Sequence, residues 1–103
     1  RASNDIIAFY SSDERLKDDI EEIPNALSRV EDIRGVFFNW NNKQSVYEGR
    51  DVGVIAQEIE KVLPELVTDR DNGFKAVKYE KLTALLIQAV KELSAKVKEL
   101  EKK

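Results

Sequence analysis

The sequence predicts a small α+β domain, a short β-sheet with amphipathic helices that ends in a long C-terminal helix of coiled-coil type. Three observations point there. The chain has 103 residues, 42% hydrophobic and 36% charged, enough for one core but not two. Its apolar residues switch between helical three-and-four spacing and short β-branched or aromatic runs. From Glu80 to Lys103 there is neither Gly nor Pro. A chain of this size buries roughly 60–68% of its unfolded surface, so its core alone is marginal. Because it opens at Arg1 rather than at a methionine, it reads as part of something longer.

Ile6, Ile7, Phe9 and Tyr10 form a β-prone run that stops at the polar cluster Ser11 to Glu14, and residues 1–11 read as the end of an upstream element. Ile20, Ile23, Leu27, Val30 and Ile33 recur at helical spacing, with Pro24 near the start and Gly35 after the end. Val36, Phe37, Phe38 and Trp40 predict a strand closed by the turn-prone Asn41-Asn42-Lys43, and Val52, Val54 and Ile55 a second one. Ala56 to Leu63 reads as a short helix that Pro64 stops. Leu66 to Thr68 and Phe74 to Val77 flank Asp71-Asn72-Gly73, where Asn-Gly supplies the positive φ angles of a hairpin turn.

In the last stretch, residues 80–103, Thr83, Leu86, Val90, Leu93, Val97 and Leu100 alternate in steps of three and four, a heptad seam with valine at a and leucine at d. Lys96 and Glu101 fall at g and e positions suited to pairing between chains, while Glu92 with Lys96 and Glu99 with Lys103 support the helix internally. The alternative is a helix packed once against its own domain. Valine at a with leucine at d favours two strands in isolated parallel coiled coils.

Twenty acidic and 17 basic residues are interspersed, for a net charge of -3. That leaves no basic stripe for nucleic acid or an anionic membrane, and neither partner is expected. No apolar run approaches a membrane span, and no signal peptide is visible. Without cysteine or histidine, a Ser/His or Cys/His nucleophile cannot be built. For covalent chemistry the leading candidate is Ser12 with Lys17, five residues apart. The plainer reading of this stretch is a helix start: Ser11 and Glu14 have capping-box spacing, and acidic residues follow Ser12. Residues five apart point to different sides of a helix or strand, so the two meet only across a turn or between chains. A lysine at its ordinary pKa of about 10.4 is neutral in roughly one molecule in two thousand at pH 7, so a lysine base needs burial. The neighbouring carboxylates Asp13, Glu14, Asp18 and Asp19 oppose that, with Arg15 placed to neutralise them.

The strings SSDERLKDDIEEIPNALSRVEDIRGVFFNW, GVIAQEIEKVLPELV and VKYEKLTALLIQAVKEL, in that order, resemble the C-terminal intramolecular chaperone auto-processing domain of bacteriophage tail spikes, endosialidases and neck appendages. A related domain occurs in a membrane-tethered transcription factor of animals. The resemblance runs from Ser12 to the end of the last helix. It implies a homotrimer in which residues 12–103 help three chains of an upstream fibre or spike to register and fold, and then cut themselves off. It places the nucleophile on Ser12, the base on Lys17 and the scissile bond between Ser11 and Ser12, with Asp13 and Arg15 completing the pattern Ser-Asp-any-Arg-any-Lys. Leu86, Val90, Leu93, Val97 and Leu100 become the trimer interface, three chains being preferred to two because three heptads specify number weakly. The expected partners are further copies of the chain and its own upstream domain. The expected setting is a virion tail-appendage precursor assembled in the host cytoplasm. No cofactor or metal is expected. A trimerisation module that stays attached to its fibre is the alternative.

Other constellations are weaker. Asp69, Asp71 and Glu80 match positions 1, 3 and 12 of a calcium loop, but Phe74 stands where glycine is required. Asp18-Asp19 and Glu21-Glu22 suit a helix start better than a pair of glycosidase carboxylates. No Gly-rich phosphate loop is present. Gln57 and Glu58 suit core support or interface hydrogen bonding.

Overall fold

The computed structural model describes residues 12–103. A 3₁₀ turn at Glu14–Leu16 opens this region, followed by helix α1 (Ala26–Glu31), strands β1 (Val36–Asn39) and β2 (Arg50–Gly53), and helix α2 (Ala56–Val62). A second 3₁₀ turn (Pro64–Leu66), strands β3 (Val67–Asp69) and β4 (Lys75–Val77), and the long helix α3 (Tyr79–Glu101) complete it. The mixed α/β class is as expected. The single sheet is not: among the described residues β1 pairs only with β2 and β3 only with β4, giving two separate antiparallel ribbons.

The core is small. Ala26, Ile59, Leu66, Leu85 and Ala89 are buried, with Ile23, Leu27, Val30, Ile33 and Val77 among the half-buried residues packed on them. α1 contributes Ala26, α2 Ile59, and α3 the one-turn pair Leu85 and Ala89, so three helices meet around one apolar centre. α1 is shorter than its periodicity suggests. Pro24 keeps Ile23 out of helical backbone, and Asn25 at φ 56° makes the left-handed turn from which the helix starts. Ile20 lies outside α1, exposed.

Asn25 provides no side-chain cap, and the free amides at the head of α1 are met from far away. Glu92 of α3 accepts from the amides of Ala26 (2.9 Å) and Leu27 (3.0 Å). The Lys96 partnership expected from local spacing is thus secondary to a long-range cap. Arg29 reinforces the neighbourhood, donating to the carbonyls of Pro24 and Val62.

The strands end earlier than expected on one side. β2 stops at Gly53, and Ile55 becomes the residue that precedes α2. Gly53 leaves room for Tyr79: a Cβ there would lie 2.7 Å from the Tyr79 hydroxyl, which accepts from the Val54 amide at 3.3 Å, and would make that side chain shift. In the β3–β4 turn only Gly73 has positive φ, at 85°, so the two-residue Asn-Gly hairpin gives way to a longer loop closed by the Arg70 amide on the Phe74 carbonyl (3.0 Å). Asp69 of the dismissed calcium loop is bonded to Lys75 at 2.9 Å.

α3 carries two faces. Leu82, Leu85 and Ala89 turn inward, whereas Leu86, Val90, Leu93, Val97 and Leu100 lie between 45% and 67% exposed. Tyr79, seven residues before Leu86 and 53% exposed, extends that outer stripe to the helix start, a position the seam beginning at Thr83 missed. No helix among the described residues is long and apolar enough to cross a membrane.

Two outcomes follow from this packing. Ile59→Ala should cost about 2–5 kcal/mol in urea denaturation, because a fully buried side chain at the meeting point of the helices leaves a cavity. The amides of Leu27 and Ala26 hold the Glu92 carboxyl below its ordinary value of 4.5. A depressed carboxyl stabilises the fold above its unfolded pKa, and this contribution is lost as pH falls through the lower folded value. Glu92→Gln should therefore flatten the acid limb of a stability-against-pH curve, which a titration of thermal midpoints would measure.

Candidate functional site

Ser12 and Lys17 are brought together. Lys17 Nζ donates to Ser12 Oγ at 3.0 Å, within the reach that a nucleophile and its base require. The turn that the spacing demands is the 3₁₀ turn at Glu14–Leu16, closed by the Leu16 amide on the Asp13 carbonyl (3.0 Å) and the Lys17 amide on the Glu14 carbonyl (3.1 Å). Extended backbone at Asp13 and at Lys17 then lets the two flanking side chains converge over one side of the turn.

The cap of that turn is Asp13, not Ser12. Asp13 Oδ1 accepts from the Arg15 amide at 2.9 Å, which leaves the Ser12 hydroxyl to Lys17. The same carboxylate grips the Arg15 guanidinium, with Nε on Oδ1 at 3.0 Å and Nη2 on Oδ2 at 2.8 Å. The Arg15 side chain first, and its amide second, hold the Asp13 carboxyl below its ordinary value. The acid next to Ser12 is thus held by a two-pronged partner two residues away. Serine, aspartate, arginine and lysine at this spacing form a self-bracing turn.

Ser12, Asp13, Arg15 and Lys17 are all exposed, as are Leu16 and Ile20 beside them. Ser11, the other half of the expected scissile bond, and Ile6, Ile7, Phe9 and Tyr10 lie outside the described residues. The expected interface residues Leu86, Val90, Leu93, Val97 and Leu100 share one exposed stripe on α3, away from the chain's own core.

Elsewhere, an open groove of about 640 Å³ runs past Phe38, Trp40, Tyr47 and Phe74. Trp40 stacks on Tyr47 (4.8 Å) and meets Phe38 edge-on (4.9 Å), so the aromatic strand residues pack mainly on one another. Glu58 takes the support role: its Oε2 accepts from Arg34 Nε at 3.0 Å and Nη2 at 2.6 Å, while Oε1 is buried without a partner. Among the described residues no group of three or more His, Cys, Asp or Glu is placed to hold a metal ion.

The role of Glu92 was not legible, because its partners lie 65 and 66 residues away and no local pattern announces a cap delivered from another helix. Tyr79 lies one heptad before Leu86 but is the first residue of α3, ahead of the Thr83 position at which the alternating seam starts.

A sequence profile of the family described as the chaperone of endosialidase matches residues 12–68, more than half of the chain. The long tail fiber protein Gp37 of Enterobacteria phage K3 is 38% identical over 104 residues, covering 92% of this chain and 8% of that protein. Its counterpart in Enterobacteria phage M1 is 34% identical over 106 residues, covering 95% of this chain and 41% of that protein. The chain therefore spans less than a tenth of the K3 relative and about two fifths of the M1 relative.

Asp13→Ala should loosen the turn by freeing both the Arg15 amide and its guanidinium. Nuclear magnetic resonance of the Lys17 Nζ and Ser12 resonances should then show loss of their mutual contact while the dispersion of the core methyl signals stays unchanged.

Proposed function

Because this chain belongs to the chaperone-of-endosialidase family, we propose that residues 12–103 are an intramolecular chaperone for a phage tail fibre, spike or appendage that releases itself by cutting its own chain between Ser11 and Ser12. The observation that carries the cutting is the 3.0 Å approach of Lys17 Nζ to Ser12 Oγ across a braced turn. Residues 1–11 are then the end of the fibre segment, and the exposed stripe on α3 is the seam along which three copies meet as a coiled coil. The relatives' printed names place them in phage tail fibres, and the same virion setting is proposed for this chain.

The reaction is an acyl transfer. Ser12 Oγ attacks the carbonyl carbon of Ser11 as its proton passes to a neutral Lys17 amine. The Ser11–Ser12 C–N bond then breaks, and the proton returns from Lys17 to the departing Ser12 amine. This leaves an ester between the Ser11 acyl group and Ser12 Oγ. Water cleaves that ester, giving a Ser11 carboxylate and restoring the Ser12 hydroxyl. The hydrogen bond seen in the single chain runs the other way, from lysine to serine, so the reactive form requires Lys17 to lose its proton. Assembly of three chains supplies surroundings that the exposed site of one chain lacks, and this couples cutting to completed folding.

Intact-mass spectrometry of the full-length protein should show a fragment beginning at Ser12, absent from Ser12→Ala and Lys17→Ala versions; three intact masses would leave an attached trimerisation module. Polar replacement of Leu86, Val90 and Leu93 should remove trimers, seen by sedimentation, and cleavage together. Efficient cutting by such a monomer would separate the two.

A further inference from the structure

The surface around the dyad has the composition of an interface. Leu16 is 72% and Ile20 67% exposed, two aliphatic side chains on either side of Lys17 in the sequence. The stretch from Asp13 to Glu22 that carries them holds six carboxylates against two cations. The last part of α3, from Lys91 to Lys103, holds five lysines against three glutamates. From Leu93 onward α3 is exposed on every side and projects roughly 13 Å past the domain. The two surfaces lie at the same height, since Glu22 reaches Lys91 at 4.0 Å within one chain.

We propose that the α3 of a second copy lies over the Leu16–Ile20 ridge and completes the dyad's surroundings, with its Lys96 and Lys103 answering the acidic stretch at Asp18 to Glu22. This rests on the trimer reading above. In a parallel bundle a neighbouring helix stands about 8–10 Å away at the same height, so its residues from Leu93 to Lys103 face the segment that sits beside Lys91. Lys96 and Lys103 occupy g positions, on the flank of the seam rather than at its axis. Two effects follow. The apolar ridge is covered and water is excluded from Lys17, which disfavours its ammonium form. The carboxylates near Lys17 in the sequence, Glu14, Asp18 and Asp19, gain cationic partners, Asp13 being already paired with Arg15 and Lys91 with Glu22.

Two measurements on the full-length protein test this. In the first, the chain has no native cysteine, so chains carrying Ile20→Cys are co-expressed with separately tagged chains carrying Lys96→Cys and oxidised gently. A disulfide joining the two tags is expected; failure to form it in assembled trimers would overturn the proposal. In the second, Leu16→Ser with Ile20→Ser is compared with the native chain and with Val46→Ser, an exposed aliphatic away from the ridge. The double variant should remain trimeric by sedimentation and cut at least about tenfold more slowly at pH 7, with the deficit shrinking as pH rises toward 10, where an exposed lysine loses its proton unaided. A trimeric double variant that cuts at the native rate at pH 7, or whose deficit persists unchanged at pH 10, would overturn it. Should the native chain not cut at all, the cleavage reading fails while the disulfide still decides whether the second copy sits on the ridge.

Discussion

Everything in this domain turns on how α3 is rotated about its own axis. One side must bury Leu85 and Ala89, and the other must leave a continuous apolar stripe free. Apolar packing alone tolerates some rotation, because leucine, valine and alanine are interchangeable in kind. The Glu92 carboxylate removes that freedom: two oxygens on two successive amides of α1 allow one angular setting. The cap also supplies what Asn25, in left-handed backbone, does not. A single side chain thus starts one helix and orients another.

The Ser12–Lys17 turn follows a different logic, entirely local. Its backbone is closed by two short-range hydrogen bonds and its side chains by the Asp13–Arg15 grip, with no contribution from the core. The approach of Lys17 Nζ to Ser12 Oγ is therefore made within one chain.

What could be read in advance follows the same division. Their spacing let Ser12 and Lys17 meet only across a turn or between chains, since no regular element brings residues five apart together, and the structure has the turn. The exposed stripe on α3 and the stop at Pro64 were likewise written in local periodicity and in proline's missing amide. α1 was overextended because Ile20 and Ile23 fit the helical spacing, yet proline's steric effect on the residue before it and the left-handed Asn25 outweighed the pattern. The separation into two ribbons, the tyrosine wedged against Gly53 and the Glu92 cap all depend on residues far apart in sequence, where spacing carries no information.

The position of the dyad in the chain has a further meaning. Ser12 precedes every residue that enters the core, from Ile23 to Ala89. A break immediately before it would sever no helix, strand pair or apolar contact among the described residues. The domain would leave as a finished body, with its new amino terminus on an exposed strand of backbone and nothing in its interior to reclose.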